Sequence, residues 1–186
     1  MRHLIISGLP ASGKSTLARR LAPVLGLPVI DKDDLLEALF AARGVGDAAW
    51  RAALSREADE RFRHAAERGG GACLVSWWRH PRGPADTGTP TRWLGALAAP
   101  PLEVHCVCPA AVAAARFVAR RRHPGHLDGT KTAEEVAERF AALAELGPLG
   151  YGPVLPVATD GVVDLAPVVT WVRAQLEVPP PEPSAA

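Results

Sequence analysis

Cysteine is scarce in this sequence, and its few cysteines do not form a regular framework. There are three, Cys73, Cys106 and Cys108, in 186 residues. Small domains that depend on disulfides usually carry an even number at characteristic spacings, so this pattern predicts free thiols and a reducing compartment, with the cytoplasm as the default. His123 and His126 together with Cys106 and Cys108 match no common zinc spacing, so zinc binding is not favoured.

Long apolar runs and an excess of one charge are also missing. No run approaches the roughly 18 apolar residues of a membrane span, and the amino end meets glycine and proline too early to resemble a signal peptide. The 21 Lys and Arg against 20 Asp and Glu give a net charge of +1, which provides no overall field for nucleic acid. The sequence therefore predicts neither a membrane nor a nucleic acid as partner.

The hydrophobic pattern alternates between short apolar runs and longer stretches of helical periodicity. Strand candidates lie at residues 3–7, 29–30, 72–76, 102–108 and 154–158. Helices of ten or more residues between strands indicate parallel pairing, so residues 1–177 are predicted to form one three-layer α/β domain. Its five-stranded parallel sheet would carry helices on both faces. Residues 178–186, with three consecutive prolines, are predicted to be a disordered tail.

Several polar residues are expected to begin helices. Asp33 or Asp34 is expected to cap the second helix, Asp47 the third, and Thr132 with Glu135 forms a capping-box pattern for the fifth. A short helix is also expected over residues 91–98. In a parallel sheet of this kind, ligands bind beyond the carboxyl ends of the strands.

The strongest motif is the segment GLPASGKS, Gly8–Ser15, between the first strand and the first helix. Two glycines spaced by four residues and followed by Lys and Ser form a phosphate-binding loop, because glycine lets backbone amides converge on phosphate oxygens. The lysine would reach the β and γ phosphates and the serine would join a Mg²⁺ shell, which predicts ATP and Mg²⁺ as cofactors. The predicted nucleotide-binding residues here are Gly8, Pro10, Ala11, Ser12, Gly13, Lys14, Ser15 and Thr16.

Acidic residues follow the second strand, and this acidic cluster is expected to lie beside the phosphate loop. Asp33 is the candidate carboxylate that orients an acceptor hydroxyl and accepts its proton, and Asp31 with Ser15 is the candidate metal pair. The third strand ends in Ser76 and Trp77 without a carboxylate. That absence disfavours a motor ATPase more than a kinase.

The chain resembles the small P-loop kinases, namely gluconate kinase, shikimate kinase, chloramphenicol 3-O-phosphotransferase and the zeta-toxin sugar-nucleotide kinases. The resemblance lies in residues 8–16, 30–35 and 116–126. It implies the P-loop fold, a base or substrate anchor at Asp33, and a lid over about residues 116–132. Arg116 and Arg120, spaced by four, would share a helix face and stabilise transferred charge. A solvated basic face is the alternative interpretation. The resemblance also places adenine near Thr159 and Asp160, which together with Arg120 complete the predicted nucleotide-binding residues.

Tryptophans flank an irregular segment after the third strand and could wall an acceptor pocket. Core packing explains one of two adjacent tryptophans equally well. His80, Arg82 and Asp86 could add polar contacts. The predicted substrate-binding residues are Asp33, Trp77, Trp78, Arg79 and Trp93.

Together these features predict an ATP-dependent kinase that phosphorylates a hydroxyl of a sugar, nucleoside or antibiotic-like molecule. Lys14, Asp33, Arg116 and Arg120 are its predicted catalytic residues. A zeta-toxin-like sugar-nucleotide kinase and a non-catalytic nucleotide-binding switch are the alternatives. The oligomeric state, monomer or homodimer, is left open.

Overall fold

The structure, a computed structural model, describes residues 2–85, 88–129 and 132–177, and there the chain alternates between strands and helices. The strands are β1 (Leu4–Gly8), β2 (Val29–Asp31), β3 (Cys73–Val75), β4 (Leu102–Val107) and β5 (Val154–Ala158). The helices are α1 (Lys14–Leu25), α2 (Lys32–Arg43), α3 (Ala48–Arg68), α4 (Ala110–Ala119), α5 (Ala133–Ala144) and α6 (Leu165–Glu177). Asp86 and the predicted tail at 178–186 lie outside the described residues.

The five strands form the one parallel sheet that the sequence predicts, and their order is β2-β3-β1-β4-β5. β3 pairs with both β1 and β2 and separates them, but the acidic cluster after β2 still lies beside the phosphate loop, where Ser15 contacts Asp31. All five strands run in the same direction, so their carboxyl ends still meet at one edge.

Both faces of the sheet are covered, which makes the fold the predicted three-layer α/β architecture. On one face, Ile6 and Val104 pack with residues of α1 and α6, such as Leu21 and Val172. On the other, Leu74 packs with Phe62 of α3. Alternate side chains along each strand therefore pack into two separate hydrophobic cores, one on each face of the sheet.

Helix starts agree with the sequence except at α2. Asp47 caps α3, and Thr132 and Glu135 form the predicted capping box of α5. The cap of α2 is Asp31, not Asp33 or Asp34, because Asp31 still has the extended backbone of β2, which lets its carboxylate accept the amide of Asp33. Asp33 and Asp34 lie in the first turn, where the helix dipole favours acids.

Two short 3-10 turns complete the described backbone. The first, Arg92–Ala96, replaces the short α-helix expected at 91–98. The second, Pro124–His126, lies in the predicted lid between α4 and α5. The cysteines are free and buried, in line with the prediction of free thiols. Among the described helices, none has the length and apolar character needed to cross a bilayer.

Candidate active site

The phosphate loop joins β1 to α1 through backbone conformations that few side chains tolerate. Gly8 has φ +124°, and a Cβ there would lie 2.5 Å from the Cys106 carbonyl oxygen. Gly13, the residue before α1, has φ +96°, and Ala11 adopts the left-handed region at φ +58°. Positive φ values turn successive amides toward a common centre, which is how a loop forms an anion-binding nest.

A buried hydroxyl without a partner lies within this nest. The Ser12 side chain is fully buried, and its Oγ finds no hydrogen-bond partner in the structure. A buried polar atom left unpaired is costly unless a ligand satisfies it. A row of amides at a helix N-terminus beside such a hydroxyl fits a polyphosphate chain.

Lys14 supplies the positive charge of the loop. Its Nζ donates to the carbonyl oxygens of Leu9 at 2.6 Å and Gly8 at 3.2 Å. Burial lowers the pKa of Lys14 to about 8, although Asp31 and Asp33 favour its charged form. The lysine therefore lies where it can contact phosphate oxygens and carries its charge most fully below pH 8.

Ser15 and Asp31 meet beside the loop. The Ser15 hydroxyl donates to Asp31 Oδ2 at 2.7 Å, and Asp31 Oδ1 accepts the Asp33 amide at 3.0 Å. Burial raises the pKa of Asp31, whereas these two hydrogen bonds lower it. A hydroxyl and a carboxylate at contact distance are hard oxygen ligands of the kind Mg²⁺ takes next to a nucleotide, so the donor set fits that ion.

Asp33 projects from the first turn of α2 and is paired with the lid. Arg122 donates to its Oδ2 at 2.5 Å and also lies 3.4 Å from Asp128 Oδ2. The Asp33 side chain is half exposed, whereas that of Arg122 is only 16% exposed. Arg122 does not stand out from the run of arginines in the sequence, because spacing along a helix says nothing about a residue beyond the helix end.

Arg116 and Arg120 occupy different surroundings instead of sharing a helix face. Arg116 donates to the carbonyl oxygens of Thr159 at 2.8 Å and Asp160 at 2.6 Å, and so ties α4 to the loop after β5. Arg120 is the residue after α4, in extended conformation, with its guanidinium over the Phe117 ring. Its Nε is buried without a partner, and its Nη2 is 3.5 Å from Asp128.

Thr159 and Asp160 border the loop without lining the main cleft. Thr159 is buried, and a Cβ on Gly13 would lie 3.9 Å from its Cβ. The residues predicted to contact adenine, Thr159 and Asp160, therefore lie next to the phosphate loop. Arg116 holds these two residues in place through their carbonyl oxygens.

The three tryptophans predicted to bind substrate lie in different surroundings. Trp77 faces the cleft, with the Arg139 guanidinium 5.3 Å from its ring centroid. Trp78 packs against Phe62 and donates its indole N–H to the Ile6 carbonyl at 2.9 Å, which makes it a core residue. Trp93 also packs edge-on against Phe62 and does not line the cleft. Of the pair, the structure therefore brings only Trp77 to the cleft.

A polar wall near the end of β3 is a feature the sequence did not reveal. The Ser76 hydroxyl donates to Thr89, which donates to Asp59 Oδ1 at 2.8 Å. Asp59 pairs with Lys32 at 3.1 Å, and Lys32 donates to Ser55 at 2.8 Å. The position that lacks a carboxylate after β3 is thus connected through hydroxyls to a carboxylate on α3. Arg79, another predicted contact, lines the same cleft and donates to the Gly88 carbonyl.

Described residues of the segment predicted as a lid contact α2 and α3. Arg51 donates to the His126 carbonyl oxygen at 2.8 Å, and the His126 ring meets Glu37 Oε1 at 2.8 Å. Phe40 packs against His126, and a Cβ on Gly125 would lie 2.7 Å from the Phe40 ring. The Gly-His pair that carries the lid resemblance therefore forms the docking point of the lid.

One cleft of about 1130 Å³ joins these features. It is lined by residues of the phosphate loop, by Asp33 and the polar wall, and by residues of the predicted lid; the loop residues are Pro10, Ala11 and Gly13 to Thr16. Within the described residues, no group of three or more His, Cys, Asp or Glu side chains is placed to hold a metal ion. The principal cleft thus combines a polyphosphate cradle with a carboxylate and room for a second molecule.

Comparison with known proteins agrees with this geometry. A family model described as AAA domain matches residues 4–146. The chain belongs to the AAA domain family. A shikimate kinase of Mycobacterium ulcerans (strain Agy99) is 28% identical over 185 residues, which cover 97% of this chain and 92% of that protein. A shikimate kinase of Paracidovorax citrulli (strain AAC00-1) is 63% identical over 35 residues, only 19% of this chain and 18% of that protein.

A solved structure of a similar protein has the same fold as this protein. The crystal structure of a protein from Chloroflexus aurantiacus J-10-fl, described as a candidate kinase, has a TM-score of 0.77 and 28% sequence identity. The match covers 95% of this chain and 99% of that one. The fold and the membership of a small-molecule P-loop kinase family, both expected from the sequence, are confirmed.

Proposed function

We propose that the protein is an ATP-dependent, Mg²⁺-assisted kinase that transfers the γ-phosphoryl group to a hydroxyl of a small molecule. One observation carries the proposal: Lys14, the Ser15–Asp31 pair and Asp33 line a single cleft. Phosphoryl transfer depends on positioning and on charge stabilisation, and these residue types supply both. The similarity to shikimate kinases supports the same class of reaction.

The phosphate side of the cleft would act through fixed donors. The loop amides would bind the polyphosphate, and Lys14 would move from the Leu9 carbonyl to the phosphate oxygens. Ser15 and Asp31 would hold the metal ion, which neutralises phosphate charge when bound. Thr159 and Asp160, held by Arg116, would border the base.

Asp33 would act on the acceptor. Its carboxylate would orient the acceptor hydroxyl and take its proton as the acceptor oxygen bonds to the γ-phosphorus and the bond to the leaving ADP oxygen breaks. Arg122 of the predicted lid contacts that carboxylate. Arg120, two residues earlier, has a buried Nε without a hydrogen-bond partner. We infer that Arg120 and Arg122 stabilise the charge on the transferred phosphoryl group, whereas Arg116 holds the loop after β5 on the nucleotide side.

The acceptor side is polar and rich in positive charge. Trp77 with Arg139 forms one wall, and Lys32, Ser55 and Asp59 form another. Such a surface suits a molecule with several hydroxyls or an anionic group, as in sugars, nucleosides and hydroxylated antibiotics. The cleft is also large enough for a nucleotide sugar, which is the substrate of the zeta-toxin-like alternative.

The decisive experiment is a product screen. The protein is incubated with ATP, magnesium chloride and panels of sugars, hydroxy acids, nucleosides, nucleotide sugars and hydroxylated antibiotics, and products that gain a phosphate are detected by mass spectrometry. A phosphorylated acceptor that depends on Lys14 supports the kinase, and its identity distinguishes the two kinase candidates. ATP binding without any product across the panels would favour the non-catalytic switch.

A further inference from the structure

A buried polar network lies behind the phosphate loop, on residues that the proposed reaction does not use. Ser7 Oγ donates to Glu103 Oε1 at 2.5 Å and lies 2.8 Å from His105 Nδ1. The side chains of Ser7 and Glu103 are almost fully buried, and His105 is 16% exposed. Ser7 and His105 are register partners on β1 and β4, and Glu103 lies two residues before His105 on the same face.

The donors of this network can be assigned from its chemistry. The single Ser7 hydrogen goes to Glu103, so Ser7 Oγ must accept from His105, and Nδ1 must carry the imidazole proton. Glu103 also accepts the backbone amides of Leu149 at 2.8 Å and Gly150 at 2.9 Å. One carboxylate thus connects β1 to the loop before β5.

Ser7 directly precedes the first glycine of the phosphate loop. The Gly8 carbonyl accepts Lys14 Nζ, and Gly8 packs so closely on Cys106 that no Cβ fits between them. A shift of Ser7 would therefore move Gly8, whose carbonyl is one of the two that accept from the lysine. Misplacement by a fraction of an ångström is enough to weaken a preorganised phosphate site.

We propose that Ser7, Glu103 and His105 form a positioning network that sets the phosphate loop for nucleotide binding. Glu103 fixes Ser7, His105 completes its hydrogen bonding, and Ser7 fixes Gly8. The three are positioning residues, since they act through the loop and not on the phosphate. The inference rests on the proposed function only in that the loop binds nucleotide.

The test measures affinity for ATP with magnesium chloride by calorimetry in folded variants. Ser7→Ala removes the central hydroxyl, and His105→Leu removes the donor. His105→Asn keeps a side-chain N–H close to the Nδ1 position. We expect Ser7→Ala and His105→Leu to weaken ATP binding about tenfold and His105→Asn to stay within about threefold of the unmodified protein.

A matched control separates positioning from general stability. Val172→Ala creates a cavity in the core on the opposite face of the sheet, so it should lower the melting temperature and leave ATP affinity unchanged. Equal ATP affinity in all four folded variants would overturn the network. So would an Asn variant as weak as the Leu variant. Failure of the unmodified protein to bind ATP would count against the proposed function instead.

A second measurement needs no substitution. The ¹⁵N chemical shifts of the His105 ring in the unmodified protein report which nitrogen carries the proton. The network requires the proton on Nδ1 of neutral His105, and a proton on Nε2 alone would contradict it even if the variants failed to fold.

Discussion

Arg122 donates a hydrogen bond to the carboxylate of Asp33, although 89 residues separate the two along the chain. The contact joins the lid to the first turn of α2. It places a guanidinium on the carboxylate that we propose to receive the acceptor proton. An acceptor must therefore share or displace this contact before phosphoryl transfer.

Asp33→Asn should abolish most turnover and leave ATP binding nearly intact. The amide keeps the size of the side chain but cannot accept the proton, so we expect turnover to fall about a hundredfold or more. Steady-state kinetics with the acceptor from the screen and calorimetry with ATP test this. Asp34→Asn is the control, because Asp34 lies next in the same turn and pairs with Arg19 on the surface. Equal losses in both variants would refute the role of Asp33.

Arg122→Ala should reduce kcat about tenfold, because Asp33 loses the donor that orients it and the lid loses a phosphate ligand. Arg122→Lys should recover only part of the rate, since an ammonium lacks the fork of the guanidinium. Arg121→Ala removes the exposed neighbouring arginine and should leave kcat close to that of the unmodified protein. A larger effect at Arg121 would contradict the assignment of Arg122.

ATP affinity should weaken above pH 8. Lys14 has a pKa lowered to about 8 by burial, so it loses its proton as the pH rises through that value, and the ligand-free protein must regain the proton to bind phosphate. The dissociation constant should then rise by up to about tenfold per pH unit. Lys14→Arg keeps its charge at these pH values, so a similar slope in that variant would disprove the lysine origin.

Stability should decline as the pH falls below about 6.5. Burial lowers the pKa of His3, His105 and His126 in the folded protein from the ordinary value of 6.5. These rings are therefore neutral when folded and take up protons more readily when unfolded. Their contribution to stability is complete above 6.5 and is lost as the pH falls toward the lowered pKa values. Urea unfolding at pH 7.5 and 5.5 measures the loss.

His105→Asn should show a smaller drop in urea midpoint between those two pH values, because one of the three rings no longer titrates. His64→Asn is the matched control, since His64 is exposed on the outer face of α3. An unchanged midpoint between pH 7.5 and 5.5 in the unmodified protein would rule out this account.

Gly8→Ala should destabilise the fold and impair ATP binding together. Its φ of +124° is unfavourable for any side chain, and the new methyl would meet the Cys106 carbonyl oxygen at 2.5 Å. We expect a loss of about 2–3 kcal/mol in the free energy of unfolding. Gly70→Ala, with open space at its Cβ position, should cost much less, and chemical denaturation compares the two. Similar losses would show that the Gly8 geometry is not required.

Local patterns were sufficient for the strands, most helix caps and the phosphate loop. The capping box of Thr132 and Glu135 and the loop from Gly8 to Ser15 depend on residues only a few positions apart, so their spacing predicts their geometry. The cap of α2 was misplaced because Asp31, Asp33 and Asp34 are equally good caps by residue type. Only the end of β2 decides which of them has an extended backbone.

Residue spacing in the sequence did not predict the contacts between segments that are distant along the chain. Arg122 was not singled out because its neighbours Arg120 and Arg121 look the same in sequence, and the turn after α4 decides which arginine meets Asp33. The Ser7–Glu103–His105 network had one usable signal, two polar residues at alternate positions of an apolar strand. Even so, its third member comes from another strand.

The sequence by itself determined that a phosphate loop lies between a strand and a helix in a parallel α/β fold, because that information resides in short-range spacing and hydrophobic period. The tertiary structure alone decided that Trp77 but not Trp78 faces the cleft, that Arg116 holds the loop after β5, and that Asp33 pairs with Arg122. These outcomes depend on how elements far apart in the chain pack against one another, and side-chain type along one element does not encode that packing.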